Sequence, residues 1–385
     1  MVLMVKSSKC VMNSSLTFII IFLTCLYSLI MSQSPGKTSH LVPIPKKSAF
    51  SVLNDLRPVA LTSIPMKILE RLVLSRLRPQ ILDHEDPLQF AYREKRSVED
   101  AILFFVDSMY RHLDSPGNFA RVLFVDFSSA FNTILPHILV DKMCGCGINY
   151  NLTKWVLDFL TNRTQRVFVN GIVSSDIVMN TGAPQGCVLS PVLFTLYTSD
   201  CRSTQPNTHI VKFADDTCIL GLIKKNGDET GYRHEISTFT NWCDENRLQL
   251  NVSKTKELVV DFRRRGHRLE RIEIRNEPVE QVHSYKYLGV SITEKLEWGE
   301  HVNTVLAKTN QRMFFLRKLS LFRLDASLIS LFYNAAIETI ITFCLAAWGG
   351  NTTARDMAKM NTLVRKARRV CRSDDLRSVD ELLIG

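Results

Sequence analysis

The chain has 385 residues and a formal net charge of +10, with 45% hydrophobic and 22% charged residues. This composition is typical of a globular protein with a large buried core, and it excludes a wholly disordered chain. The excess of Lys and Arg predicts an acidic partner, either nucleic acid or an anionic membrane, because basic side chains displace counterions from phosphates. The charge by itself indicates no chemistry.

The ten cysteines are scattered, and no CxxC pair is present. Cys144 and Cys146 are close in sequence, but no second pair stands at the spacing of a zinc site. Most of the cysteines lie in apolar runs, which predicts small buried thiols in a reducing compartment. We therefore expect no structural zinc site.

Residues 1–32 are predicted to form a hydrophobic leader. Leu16–Met31 is almost wholly apolar and follows Lys6 and Lys9, which is the pattern of a signal peptide or a short membrane anchor. The run is shorter than the roughly 20 residues of a comfortable membrane span. We expect an intracellular protein, nuclear or cytosolic, in which this leader is either a gene-model artefact or a membrane anchor.

Residues 33–54 are rich in Pro, Ser and Lys, which predicts a linker. The apolar spacing then predicts a helix from Leu56 onward and a second one over Glu99–Leu113. Arg121–Phe127 is a β-rich run that ends near an acid and predicts a buried strand. Further helices are predicted over Pro136–Cys146, Asn151–Leu160, Cys187–Tyr197 and Gly231–Asn246, further strands over Gln165–Val169, Asp176–Val178, Glu257–Phe262 and Tyr285–Ile292, and a mostly helical tail over His301–Ala347.

A hairpin with carboxylates at its tip is predicted where His209–Ala214 and Thr217–Leu222 are separated only by Asp215 and Asp216. Antiparallel pairing can bring this tip beside Asp126, at the end of another strand. Hard divalent cations with oxygen ligands relieve the repulsion between such acids, and two ions about 3.5–4 Å apart suit phosphoryl transfer. A solvated turn is the alternative for any single acid. The geometry alone leaves a nuclease, a polymerase and a calcium site open.

Three local sequences narrow this choice. Phe124–Asn132 (FVDFSSAFN) resembles the first catalytic motif of reverse transcriptases from non-LTR (LINE-type) retrotransposons, and Thr181–Pro191 (TGAPQGCVLSP) resembles their second motif. Phe213–Asp216 (FADD) resembles the third motif, in which a small residue before the Asp pair differs from the Gly-Asp-Asp typical of viral RNA-dependent RNA polymerases. The three motifs occur in order and at sensible spacing.

The resemblance extends beyond these motifs and implies an α+β fold. Asn54–Leu61 and Gln89–Arg93 resemble the family's finger motifs, and Leu248–Lys256 resembles the motif after the hairpin. Tyr287–Val290 resembles the strand pair that grips the primer end. The expected architecture is fingers and a palm with an antiparallel sheet over 55–292, followed by a helical thumb-like or connector region over 293–385.

The resemblance also implies a catalytic centre. Asp126 and Asp215 would bridge two Mg²⁺ ions, with Mn²⁺ as an alternative, and Asp216 would support them. Phe127 would complete the metal-binding set. Lys254 would protonate the departing pyrophosphate as a general acid, although an ordinary surface lysine is an equal alternative at that position.

Other residues would bind the nucleotide and the primer. Phe131 would exclude a 2′-hydroxyl as a steric gate, unless it is only a core residue. Gln185 and Gly186 would lie along the nucleotide, with Gly allowing close backbone approach. Arg57 and Arg93 would contact the triphosphate or the template, with a solvated surface arginine as the alternative. The primer grip would consist of Tyr287, Leu288 and Gly289.

The predicted function is that of an RNA-directed DNA polymerase of a non-LTR retrotransposon. It would extend a DNA primer on an RNA template with dNTPs, and we expect it to act without an endonuclease domain of its own. One alternative is a palm polymerase that makes RNA on an RNA template. The other is a truncated relic that binds nucleic acid without copying it.

Overall fold

The computed structural model describes residues 38–46, 51–263, 269–322, 324–373 and 375–384, and the predicted leader lies outside them. The strands, in chain order, are β1 (Thr38–Pro45), β2 (Leu56–Leu61), β3 (Phe119–Val125), β4 (Arg163–Val169), β5 (Ile172–Val173), β6 (Ile177–Met179), β7 (Thr208–Phe213), β8 (Asp216–Ile223), β9 (Lys256–Val260), β10 (Glu273–Ile274), β11 (Glu277–Pro278), β12 (Glu280–Val282), β13 (Ser284–Tyr287) and β14 (Val290–Thr293). The helices are α1 (Ile64–Ile81), α2 (Val98–Leu113), α3 (Pro136–Gly145), α4 (Tyr150–Leu160), α5 (Ser190–Tyr197), α6 (Thr230–Glu245), α7 (Gly299–Leu321), α8 (Ala326–Tyr333), α9 (Thr339–Thr342), α10 (Leu345–Trp348), α11 (Ala354–Cys371) and α12 (Val379–Ile384).

These elements form two compact units, each assembled from separate stretches of the chain. The first contains the described parts of Met1–Asp86, Ser128–Asp200 and Cys243–Gln249. The second contains the described parts of Pro87–Phe127, Cys201–Trp242 and Leu250–Gly385.

The first unit contains a mixed sheet in the order β2-β1-β4-β5, with β6 also paired to β4. Strand β1 is antiparallel to β2 and parallel to β4. This corrects two predictions, since β1 lies inside the supposed linker 33–54 and β2 occupies the first residues of the supposed helix. Pro43 faces Pro58, so the two missing N–H donors fall at one position of the ladder. Helix α1 begins only after Ser63, whose hydroxyl accepts the Met66 N–H as an N-cap.

The second unit is built on a five-stranded sheet in the order β12-β9-β3-β8-β7. Strand β3 is antiparallel to both of its neighbours and is buried along its whole length. The α+β class and the antiparallel sheet are confirmed, although β12 joins the edge of the sheet in a parallel orientation. Helix α2 begins with a capping box, in which the Ser97 hydroxyl accepts the Asp100 N–H and the Asp100 carboxylate accepts the Ser97 N–H.

The predicted helical tail is confirmed, and it belongs to the second unit. The chain changes from strands to helices between Thr293 and Gly299. The assignment of 293–385 as a thumb-like region stays a prediction. Within the described ranges, the helical stretch Ala326–Asn351 is long and apolar enough to cross a membrane by length and composition alone. Because Tyr333 and Ile337 in it are fully buried in the core of this unit, the stretch is weak support for a membrane partner.

A buried ionic cluster joins β3 to its neighbours. The Arg121 guanidinium, 1% exposed, donates to both carboxylate oxygens of Glu257 on β9 at 2.9 Å. It also donates to Glu229 at 2.6 Å, just before α6. A paired and hydrogen-bonded charge is tolerated in a core, but a buried partner left alone is not. The cluster therefore ties the central strand to β9 and α6.

We expect Glu257→Gln to destabilise the second unit by about 3–5 kcal/mol, because it leaves the Arg121 charge without its bidentate partner. Urea unfolding followed by circular dichroism measures the change. Arg111→Met is the matched control, because it breaks an exposed pair with Asp107 on the surface of α2 and should leave the unfolding midpoint unchanged. Equal midpoints for Glu257→Gln and the wild type would contradict a structural role for the cluster.

Candidate active site

The three predicted catalytic acids lie at one end of the central strands of the second unit. The antiparallel register pairs Val125 with Thr217. Asp126 and Asp216 are the next residues of the two strands beyond this last pair, and the charge of Asp126 acts on the Asp216 carboxylate. Asp215 lies in the turn between β7 and β8. The sheet thus brings an acid that follows β3 beside the pair at the hairpin tip.

The turn that carries the Asp pair is held by a buried amide. Ala214 has a φ of +58°, a conformation that residues with a side chain rarely adopt. The Gln89 side chain, buried at 3% exposure, accepts the Ala214 N–H at 3.0 Å and donates to the Ala214 carbonyl at 3.3 Å. These bonds offset the strain of the turn. Gln89 was missed as a site residue, although it opens the finger motif Gln89–Arg93.

The backbone of Asp126 is fixed by the loop before β9. Its carbonyl accepts the Asn251 N–H at 2.8 Å, and its N–H approaches the Thr255 hydroxyl at 3.4 Å. The Lys254 ammonium lies 3.9 Å from a carboxylate oxygen of Asp126 and is mostly exposed. The structure therefore brings Lys254 to the acids, and it adds Asn251 and Thr255, whose positioning contacts the motif alone does not reveal.

The acids influence one another electrostatically. The pKa of Asp216 is raised to about 6, first because protein replaces part of the water around its carboxylate and then because Asp215 and Asp126 carry like charges. Burial and then Asp216 and Asp126 likewise raise the pKa of Tyr285, whose ring stacks on Phe124 at 4.0 Å. Burial and then the Asp pair raise the pKa of Tyr92. Burial is the largest cause of all three shifts, and the negative charges of the neighbouring acids add to it.

The donor chemistry fits a divalent cation, since carboxylate oxygens with surplus negative charge are the ligands that Mg²⁺ prefers. In the described part of the chain, however, no three His, Cys, Asp or Glu side chains already form a metal-binding group. Asp126, Asp215 and Asp216 are the carboxylates that would hold such a cation. Phe127, the fourth predicted member, forms a backbone bridge with Leu250.

The predicted primer grip is the hairpin of β13 and β14, in the same unit as the acids. Leu288 and Gly289 form its two-residue turn, with φ values of +46° and +95°. Tyr287 is only 3% exposed, and its ring packs against Phe105 and Phe124 with centroids 5.3 Å away. The Tyr287 ring lies inside the core, so its side chain would act at a primer only indirectly, by holding the hairpin in place.

Three of the predicted nucleotide-binding residues come together in the first unit. The Phe131 carbonyl accepts the Ala183 N–H at 2.8 Å, and the Gln185 carbonyl accepts the Ala60 N–H at 2.7 Å. Gly186 has a φ of +104°, and a Cβ there would stand 3.0 Å from the Ala60 carbonyl oxygen, so the position favours glycine. The half-buried Phe131 ring packs on Phe194 with centroids 4.8 Å apart.

The two predicted arginines belong to different units. Arg57 is exposed on β2 in the first unit and faces Ile44 across the strand pair. Arg93 is half-buried in the second unit, where it donates to the Gln89 carbonyl at 3.4 Å. The structure therefore groups Phe131, Gln185 and Gly186 in one unit, and the acids, Lys254 and the β13–β14 hairpin in the other.

Residues 44–292 match the family model described as reverse transcriptase (RNA-dependent DNA polymerase). The chain belongs to the reverse transcriptase family. This match confirms the predicted family and its palm and fingers fold. The Drosophila relatives confirm the predicted resemblance to reverse transcriptases of non-LTR elements. Residues 298–339 also match a model described as alkylated DNA repair protein alkB homolog 8, N-terminal, which covers a small part of the chain.

Two relatives from Drosophila melanogaster are each 26% identical to the chain. The probable RNA-directed DNA polymerase from transposon BS matches over 76% of this chain and 32% of its own length. The RNA-directed DNA polymerase from mobile element jockey matches over 72% of this chain and 30% of its own length. The chain therefore spans about a third of the length of these relatives. Among solved structures, Candida tropicalis telomerase with a TWJ fragment of telomeric RNA covers 90% of this chain and 60% of its own, at 14% identity and a TM-score of 0.49.

The raised pKa of Asp216 predicts a pH dependence of stability in buffer without divalent cations. A carboxyl group with a raised folded pKa holds its proton better in the folded chain, so stability falls as the pH rises from about 4 through about 6. Asp216→Asn removes this loss. We expect the variant to match the wild type at pH 4.5 and to melt about 2 °C higher at pH 7.5, since exposure screens much of the repulsion.

Thermal melting followed by circular dichroism at the two pH values measures this difference. Asp141→Asn is the matched control, because Asp141 is an exposed carboxylate on α3 in the first unit. If the melting temperatures of Asp216→Asn and the wild type differed by the same amount at both pH values, the proposed destabilisation by the ionised Asp216 would be contradicted.

Proposed function

We propose that the chain is an RNA-directed DNA polymerase that extends a primer with dNTPs at the site formed by Asp126, Asp215 and Asp216. The observation that carries this proposal is the register of β3 and β8, which ends with Val125 opposite Thr217, so that Asp126 and Asp216 are the next residues of the two strands. The membership of the reverse transcriptase family supports the same reaction.

The proposed cofactor is a pair of Mg²⁺ ions, or Mn²⁺, held by the three aspartates with the backbone at Phe127. When bound, such ions make the primer 3′-hydroxyl a better nucleophile and neutralise charge on the phosphates. Burial and then the like charges of Asp215 and Asp126 raise the pKa of Asp216, and the clustering of these three carboxylates supports a divalent cation there. The carboxylate oxygens of the three aspartates are the proposed ligands. Asn251 and Thr255 hold the backbone of Asp126, and Gln89 holds the backbone of Ala214 next to Asp215.

Lys254 is proposed as the proton donor to the departing pyrophosphate. Its ammonium is near Asp126 and mostly exposed, so it is free to reach a bound ligand. Gln185 and Gly186 are proposed to contact the nucleotide. The Gln185 side chain is half-buried and makes no hydrogen bond to the described residues, which leaves its amide available.

The proposed partners are an RNA template and a DNA primer, and helix α11 supports a nucleic acid. Seven basic residues and one acid lie between Ala354 and Arg372. Arg365, Lys366 and Arg369 are exposed on one helical face, opposite the buried residues of that helix. No described carboxylate lies within ion-pair distance of these three, so they are available to phosphates.

Phe131 is proposed to select deoxynucleotides. Its ring is half-buried on Phe194, so one face is fixed by the core while the ring retains an accessible part. A ring held in this way resists displacement, because core packing leaves little room for an added group.

We expect Asp215→Asn to lower primer extension on an RNA template by roughly a thousandfold, because metal ligation supplies several kcal/mol of transition-state stabilisation. The rate of dNTP incorporation with Mg²⁺ and a radiolabelled DNA primer measures this. Asp141→Asn, the same chemical change on the surface of α3, should extend at the wild-type rate. Equal extension by the wild type and Asp215→Asn would overturn the polymerase proposal.

We expect Phe131→Ala to raise the efficiency of rNTP incorporation relative to dNTP by roughly tenfold to a hundredfold, because relief of a steric overlap is worth about 1–3 kcal/mol. Single-nucleotide extension with matched rNTP and dNTP gives the ratio. Phe168→Ala, at a partly exposed ring on β4 of the same unit, should leave the ratio unchanged. A wild type that already uses rNTPs as well as dNTPs would instead favour an RNA-synthesising polymerase.

A further inference from the structure

The loop 181–189 of the first unit is held by two buried ionisable side chains that are not paired with each other. Arg163, at the start of β4, is 5% exposed, and Glu70 on α1 is fully buried. Neither forms an ion pair with any described residue. Burying an unpaired charge is costly unless hydrogen bonds compensate for it. The hydrogen-bond partners of Arg163 and Glu70 therefore indicate the role of these two side chains.

Arg163 binds the beginning of the loop. Its guanidinium donates to the Thr181 carbonyl at 2.6 Å and to the Gly182 carbonyl at 2.8 Å. A third bond, to the Leu160 carbonyl at 3.0 Å, anchors it to the end of α4. Burial lowers the pKa of Arg163 to about 10, so it remains a cation at neutral pH.

Glu70 binds the end of the loop. One of its carboxylate oxygens accepts the Leu189 N–H at 3.0 Å. Burial raises the pKa of Glu70, and this backbone hydrogen bond acts in the opposite direction. A cationic side chain thus holds carbonyls at one end of the loop, and a carboxyl group accepts an amide N–H at the other.

The middle of the loop is fitted closely to its surroundings. The Ser190 hydroxyl donates to the Pro184 carbonyl at 2.7 Å, and the Gly182 N–H donates to the Ile134 carbonyl at 2.7 Å. A Cβ on Gly182 would stand 2.8 Å from the Asn132 backbone, so the close approach of the two backbones requires glycine there. The backbone is therefore fixed, while the Gln185 side chain makes no hydrogen bond to described residues.

We propose that Arg163 and Glu70 are positioning residues for nucleotide binding, because they fix both ends of the loop that presents Gln185 and Gly186. This inference rests on the proposed polymerase function, and it assigns to two buried side chains the placement of the deoxynucleotide site. Neither side chain touches the nucleotide.

The test compares Glu70→Ala with Glu235→Ala in the full-length chain. Glu235 is a matched control, because it is 1% exposed and its carboxylate accepts the Thr204 and Gln205 N–H groups in a loop of the second unit. Glu70→Ala removes the acceptor of the Leu189 N–H, whereas Glu235→Ala removes the acceptor of two N–H groups and of the Ser203 and Thr204 hydroxyls, so the control should lose at least as much stability. Only Glu70→Ala should raise the KM for dTTP, by about tenfold, with kcat within about twofold of the wild type. Glu70→Gln retains one acceptor and should restore most of the affinity.

Hydrogen exchange supplies a readout that needs no activity. Amides of the peptide that spans 181–189 should exchange about tenfold faster in Glu70→Ala and at the wild-type rate in Glu235→Ala. Equal KM values for Glu70→Ala and the wild type, or an equal rise in both alanine variants, would overturn the positioning role. A wild type that extends no primer defeats the polymerase proposal alone. Hydrogen exchange then tests by itself whether Glu70 holds the loop 181–189. An unchanged exchange rate of that loop in Glu70→Ala would overturn this role.

Discussion

The pairing of β3 with β8 is the constraint on which the candidate site depends. Because side chains alternate across a strand, a slip of one residue would turn every side chain to the opposite face of the sheet. Strand β3 is buried throughout and lies between two antiparallel partners, so such a slip would disrupt the packing on both faces of the sheet. The buried Arg121–Glu257 pair fixes β3 against β9 in the same register. The position of Asp126 beside the hairpin tip is thus decided by core packing along the rest of the strand.

The site itself works against stability, and nearby groups compensate. Three carboxylates repel one another, and Ala214 adopts a backbone conformation that favours glycine. Gln89 satisfies both backbone polar groups of Ala214, and Lys254 supplies a positive charge near Asp126. Strain and like charges concentrated at one point, and supported by their surroundings, are typical of a functional centre.

The two units solve the problem of holding a site loop in different ways. In the second unit, a regular sheet places the acids, and few side chains are needed beyond those that fix the turn. In the first unit, the 181–189 loop has no strand partner along its length, so its polar backbone groups are bound individually. Arg163, Glu70 and Ser190 do this from inside the core. Buried polar groups of this kind specify one arrangement because each unmade bond is costly.

The sequence by itself determined the local elements and the chemistry. β-rich runs predicted β3 and the β7–β8 hairpin, and three motifs predicted the family and Asp126, Asp215 and Asp216 as the acids. Prediction from the sequence failed where the structure depends on pairing between distant segments of the chain. The composition of residues 33–54 predicted a linker and gave no sign of β1, which forms a strand because it pairs with β2 and β4. Likewise Gln89 and Ala214 are 125 residues apart, and the burial of the Tyr287 ring depends on contacts with the distant Phe105 and Phe124. Periodicity and motifs record only what neighbouring residues share, whereas these contacts exist only once the chain has folded back on itself.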